Sequence, residues 1–140
     1  MTTELLAPAG GQEALVAAVQ SGADAVYMGF GAFNARRSAR NFSDEEFRAA
    51  VSYCHLRGVK VYLTLNTLVT DRELPALAAE ARTASECGVD AILVQDWGVL
   101  ATLQKIIPDV PLHASTQMSL HTLCLLYTSD PADDLLCVDL

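Results

Sequence analysis

Gly22-Ala23-Asp24-Ala25-Val26-Tyr27 returns later in the chain as Gly88-Val89-Asp90-Ala91-Ile92-Leu93, with a looser copy at Gly58-Val59-Lys60-Val61-Tyr62-Leu63. Each copy places a helix-stopping glycine directly before a short run of residues suited to a buried strand. Outward from these anchors the chain alternates. Before Gly22, Ala14, Leu15, Ala18 and Val19 form one apolar stripe of helical period over 12–21. Before Gly58, Ser43 with Glu46 three positions on makes a capping box for a helix over 44–57. Before Gly88, a third helix capped by Thr70 or Asp71 runs to Cys87, and a fourth covers 97–107. Strands are expected at 3–7, 25–28, 59–65, 91–94 and 112–114.

Strands separated by helices at such spacing read as right-handed βαβ crossovers in a parallel sheet. The expected fold is α/β: the N-terminal part of a TIM-like (β/α) barrel with parallel strands, truncated after about five strands. A typical barrel takes eight units and about 250 residues, against the 140 present. An open doubly wound sheet is the alternative, but no Gly-x-Gly-x-x-Gly follows the first strand.

With 51% hydrophobic residues, the chain can bury one core. It has no apolar run of membrane-spanning length, and Met1-Thr2-Thr3-Glu4 is not a secretory start. A cytoplasmic protein with no membrane partner is the expectation. Cys54, Cys87, Cys124 and Cys137 show no metal-ligand or disulfide spacing, so no metal site is indicated. A net charge of −8 argues against a broad nucleic-acid surface, though not against a local basic pocket.

Barrel enzymes build their sites from loops at the C-terminal ends of the strands. That rule selects Asn34 with Arg36, Arg37 and Arg40 after strand two, Asn66 after strand three, and Gln95 and Asp96 after strand four. At strand five it selects His113, Thr116 and Gln117. Asp96 and His113 are the catalytic candidates; the others are candidate substrate-binding residues. Each has a plainer reading. Asn66 and Asp96 also suit helix or turn caps, His113 a hydrogen-bonded core position, and the arginines a solvated face. Three guanidiniums in one loop also suit a small anionic ligand, a carboxylate or phosphate. Cys54-His55 is no nucleophile–base pair, because adjacent helical positions point about 100° apart.

Several of these segments carry a family likeness. Leu5-Leu6-Ala7-Pro8-Ala9-Gly10, Phe33-Asn34-Ala35-Arg36, Asn41-Phe42-Ser43, Leu65-Asn66-Thr67-Leu68, Val94-Gln95-Asp96 and His113-Ala114-Ser115-Thr116-Gln117-Met118 stand in order. Together with the Gly22 repeat they resemble the collagenase-like peptidase family, unassigned-type peptidase family U thirty-two, over residues 3–122. The resemblance implies a peptidase, a hydrolase acting on peptide. As an alternative, it also covers members that hydroxylate bases of tRNA or 23S rRNA without oxygen, or quinone precursors, and a non-catalytic barrel subunit is a further reading. It implies motif roles for Asn34, Arg36, Asn66, Gln95, Asp96, His113, Thr116 and Gln117. It also implies a four-iron, four-sulfur (4Fe-4S) cluster in some members, on cysteines beyond the region covered; no cofactor is assigned within this chain.

The likeness ends near Leu123. From Cys124, Cys124-Leu125-Leu126-Tyr127-Thr128-Ser129-Asp130 reads like a translated sequencing adapter, and Ala132-Asp133-Asp134 continues that frame. Residues 1–123 are therefore expected to be a partial barrel and 124–140 a non-native tail. Alone, such a fragment is expected to be inactive, with open strand edges that invite aggregation.

Overall fold

The computed structural model describes residues 3–35 and 42–121. Arg36, Arg37, Arg40 and Asn41, and the tail with Cys124 and Cys137, lie outside the described residues.

Five strands alternate with four helices: β1 (Leu6–Pro8), α1 (Gln12–Gln20), β2 (Ala25–Met28), α2 (Asp44–His55), β3 (Lys60–Leu65), α3 (Leu74–Cys87), β4 (Ala91–Val94), α4 (Trp97–Ile106) and β5 (Leu112–Ala114). The strands form one sheet in the order β1-β2-β3-β4-β5, every pair parallel. This order decides between the two α/β architectures. Right-handed crossovers that all step the same way put every helix on one face of the sheet. A doubly wound sheet reverses direction and covers both faces. The fold is that of the N-terminal part of a (β/α) barrel.

The two faces differ as that topology requires. Outward-pointing Val26, Met28, Val61, Leu63, Leu65, Ile92 and Val94 pack with Leu15, Phe47, Leu77 and Leu103 of the helices in one continuous core. The alternate positions form a second, smaller cluster of Ala25, Tyr62 and Ala91 with Tyr27 and Leu93. No helix residue joins it. This inner face is where the rest of a closed barrel would pack; Leu6 is 42% exposed.

The repeat has a physical cause. Gly22, Gly58 and Gly88 all have positive φ, at 88°, 71° and 83°, the left-handed conformation that ends a helix. The aspartate two residues on then accepts a backbone N–H from the neighbouring segment. Asp24 Oδ2 takes Leu5 N at 2.8 Å, and Asp90 Oδ2 takes Val61 N at 2.7 Å. Asp90 Oδ2 also meets His55 Nε2 at 2.9 Å. The middle copy carries Lys60 instead, whose Nζ donates to Glu4 Oε2 at 2.9 Å, while Tyr62 Oη donates to Glu4 Oε1 at 2.7 Å. These bonds, Lys60 first, hold the Glu4 carboxyl below its usual range and fasten the start of the chain across the N-terminal end of the inner face.

Element bounds follow the expectations closely, with two shifts. The first strand begins at Leu6 rather than residue 3, and ends on Pro8, which has no N–H to place in a ladder. The third helix begins at Leu74, later than Thr70 or Asp71 would set it. Pro75 fixes that start, because the missing N–H suits a first turn. Thr70 N and Oγ1 instead donate to Glu73 Oε2, both at 2.8 Å, in the turn before it. The Ser43 capping box is present in both directions, with Glu46 N to Ser43 Oγ at 3.3 Å and Ser43 N to Glu46 Oε2 at 2.9 Å.

Candidate substrate-binding site

The C-terminal ends of the strands surround a cavity of about 500 Å³. Its apolar floor comes from the inner face and strand ends: Leu6, Tyr27, Met28 and Leu93. Its rim is polar and comes from three loops: Asn34 and Ala35 after β2, Asn66 after β3, and Ser115, Thr116 and Gln117 after β5.

Burial singles this cavity out. Asn34, Thr64 and Ser115 are the buried polar side chains among the described residues, at 1%, 8% and 7% exposure, and all three line it. Polar groups are costly to bury unless hydrogen-bonded, and here they are. Thr64 Oγ1 donates to Met28 O at 3.1 Å. Asn34 Nδ2 reaches Gly31 O at 3.5 Å. Gly29 is required beneath Asn34, since a Cβ there would lie 2.7 Å from the carboxamide carbon. Asn66 connects the loops: its Oδ1 accepts Ala35 N at 3.2 Å and its Nδ2 approaches Ser115 Oγ at 3.5 Å. Ser115 Oγ accepts Gln117 N at 3.3 Å, fixing the short 3-10 turn Thr116–Met118. One polar chain thus runs from the β2 loop to the end of β5.

No carboxylate, ammonium, guanidinium or imidazole lies among the described residues of the lining. The rim presents carboxamides and hydroxyls, each able to donate and accept, above an aromatic and aliphatic floor. That combination can hold a ligand whose edges both donate and accept hydrogen bonds.

Of the residues selected from the sequence, Asn34, Asn66, Thr116 and Gln117 meet at this cavity. Asp96 is the N-cap of α4, its Oδ1 accepting Gly98 N at 2.7 Å and Val99 N at 3.1 Å. The capping role open to Asp96 is the one observed. Gln95, half-buried beside it, is also outside the lining. His113 lies on the inner face, exposed, its ring edge-on to Tyr62 with centroids 5.1 Å apart. The Arg36, Arg37 and Arg40 loop falls outside the described residues. Thr64 and Tyr27 also line the cavity, but they lie within strands rather than after them, so the strand-end rule does not reach them.

Among the described residues, no three His, Cys, Asp or Glu side chains are grouped to hold a metal ion. Cys54 and Cys87 sit on different helices of the outer layer, and burial pushes the Cys54 thiol up to about 11. Two cysteines on separate helices, with no further ligand grouped beside them among the described residues, do not fit the four-thiolate set of an iron–sulfur centre.

Fold and cavity together define a (β/α)-barrel protein of the kind that assembles its site at the strand C-termini. Residues 10–125 match Peptidase family U32, and the chain belongs to that family. It is 36% identical to a collagenase of Porphyromonas gingivalis over 84% of this chain and 28% of that protein. It is 37% identical to tRNA hydroxylation protein P1 of Bacillus subtilis over 84% of this chain and 28% of that protein. It is 41% identical to the 23S rRNA 5-hydroxycytidine C2501 synthase of Escherichia coli over 85% of this chain and 18% of that protein. The chain therefore spans under a third of these relatives. A solved U32 peptidase superposes with a TM-score of 0.66 at 17% identity, over 86% of this chain and 51% of the other, which shows the shared fold.

Proposed function

We propose that this chain supplies the substrate-holding half of a U32-type catalytic barrel, and that the substrate is RNA, presented as a single base. The observation that carries this is the convergence of the three polar side chains buried among the described residues on one carboxamide-rimmed cavity, with no charged group in its described lining and Tyr27 in its floor. RNA-modifying proteins take an unstacked base against aromatic side chains and read its edge by hydrogen bonds, and Asn and Gln carboxamides match such edges. Arg36 and Arg37 follow Asn34-Ala35 directly in the chain, and guanidiniums suit the flanking phosphates or a small anionic co-substrate. The names of the Bacillus and Escherichia relatives favour the same chemistry, hydroxylation of a base. The redox centre for it, a 4Fe-4S cluster in this reading, would be held by cysteines beyond the region of family likeness and not by those of this chain.

Peptide cleavage is the second reading, favoured by the family's description and by the relative named collagenase. A peptide unit offers the same amide edges to Asn66 and Gln117, and His113, exposed on the inner face, would then serve as general base, since Asp96 is engaged as the cap of α4. RNA nucleosides from a strain lacking the gene separate the two. One hydroxylated nucleoside is expected to disappear, to return with the wild-type gene, and to return at a tenth or less of its level with Asn66→Ala. An unchanged nucleoside profile, with collagen-type peptides cleaved by the purified protein, would establish the peptidase instead.

A further inference from the structure

Helix α3 buries Leu77, Ala81 and Ala84 against the sheet. Glu80 falls on the same stripe, three residues after Leu77 and four before Ala84. A carboxylate on a buried helix face needs a partner, and Glu80 has one from a distant loop. Its Oε2 accepts the backbone N–H of Ala32 at 3.2 Å. Gly31 lies against the same carboxylate with φ 63°, so close that a Cβ would overlap it. Oε1 is buried and makes no hydrogen bond among the described residues. The turn held in this way leads within a few residues to Asn34 and Ala35, the wall of the cavity, and Asn34 Nδ2 reaches back to Gly31 O.

We propose that Glu80 is a positioning residue for the cavity: from the helix layer behind the sheet it holds the Gly31-Ala32 turn, and so sets the Asn34-Ala35 wall. The inference rests on the reading of that cavity as the substrate site. Glu80 touches no cavity atom; it acts through the turn. Its protonation couples to this role. Burial pushes the carboxyl up to about 7, with the Ala32 bond opposing and the Asp44 charge at the start of α2 adding to the rise. Arg48 on α2 is engaged with Glu86, at 3.9 Å on the exposed side of the helix pair. Above pH 7 the ionised Oε2 grips Ala32 N through a charge-assisted bond; below it the carboxyl is neutral and the grip relaxes.

Two readouts on the full chain test this: backbone amide resonances between pH 5.5 and 8.5, and binding of cytidine as the probe. The Ala32 and Ala35 amides are expected to titrate together with a midpoint near 7, and to stay flat in Glu80→Gln. Cytidine is expected to bind severalfold tighter at pH 8 than at pH 6 in the wild type, with no such difference in Glu80→Gln. Glu80→Ala should weaken binding at least fivefold, and Glu80→Gln should recover most of that loss by keeping an acceptor for Ala32. A flat Ala32 amide in the wild type, or the same titration in Glu80→Gln, overturns the proposal. So does equal cytidine affinity in wild type and Glu80→Ala, which would leave the base-binding reading intact. Failure of cytidine to bind any form would instead strike that reading, and the Ala32 and Ala35 titrations would then decide the role of Glu80 alone.

Discussion

Phe47→Ala is expected to lower the stability of the chain by about 3–5 kcal/mol, the range for emptying a fully buried aromatic site. Phe47 has no exposed surface and is the largest of the fully buried side chains. It stacks on Phe30 with ring centroids 4.7 Å apart and 22° between the planes. Phe30 follows β2 and Phe47 lies in the first turns of α2, so this pair ties the helix to the strand end from which the cavity loop departs. Phe47→Leu keeps most of the volume and should cost less than about half as much. Denaturant unfolding checks both; a loss under about 1 kcal/mol for Phe47→Ala would show that the core is not packed as described.

The second large effect concerns the repeat. Asp90→Ala is expected to cost about 2–3 kcal/mol, because it leaves the Val61 N–H of the central strand without its acceptor and also removes the His55 contact. Asp24→Ala removes the equivalent bond to Leu5 N, but that donor is exposed and water replaces the carboxylate. Its cost should stay below about 1 kcal/mol. Asp90→Asn keeps an acceptor and should fall between the two. Equal losses at Asp24 and Asp90 would mean that the motif acts only as local turn chemistry and not as a clamp between strands.

The same repeat made the fold legible. A glycine in the left-handed region followed by Asp and β-branched residues can be read directly from Gly22 and Gly88, and the capping box at Ser43 equally so. These are short-range signals with one physical solution each. Part of the candidate cavity's lining was legible for a similar reason: Asn34, Asn66, Thr116 and Gln117 are polar residues just beyond strands, where barrel topology brings loops together. Asp96 met the same criterion yet caps α4, because a residue following a strand can serve the next helix as easily as a cavity. Thr64 and Glu80 were not legible as site residues. Thr64 sits inside a strand and becomes part of the lining only through which face it takes. Glu80 is 48 residues from its partner Ala32, and only the packed fold brings them together.

In the proposed function, the cavity over the strand ends binds RNA bases. Mapping amide resonances of the chain during titration with a short single-stranded RNA tests it directly. Saturable shifts are expected at Asn34, Ala35, Asn66, Thr116 and Gln117, and about tenfold weaker binding in Asn66→Ala, equivalent to about 1.4 kcal/mol. Shifts absent from those residues, or produced there by a collagen-type peptide and not by RNA, would contradict it.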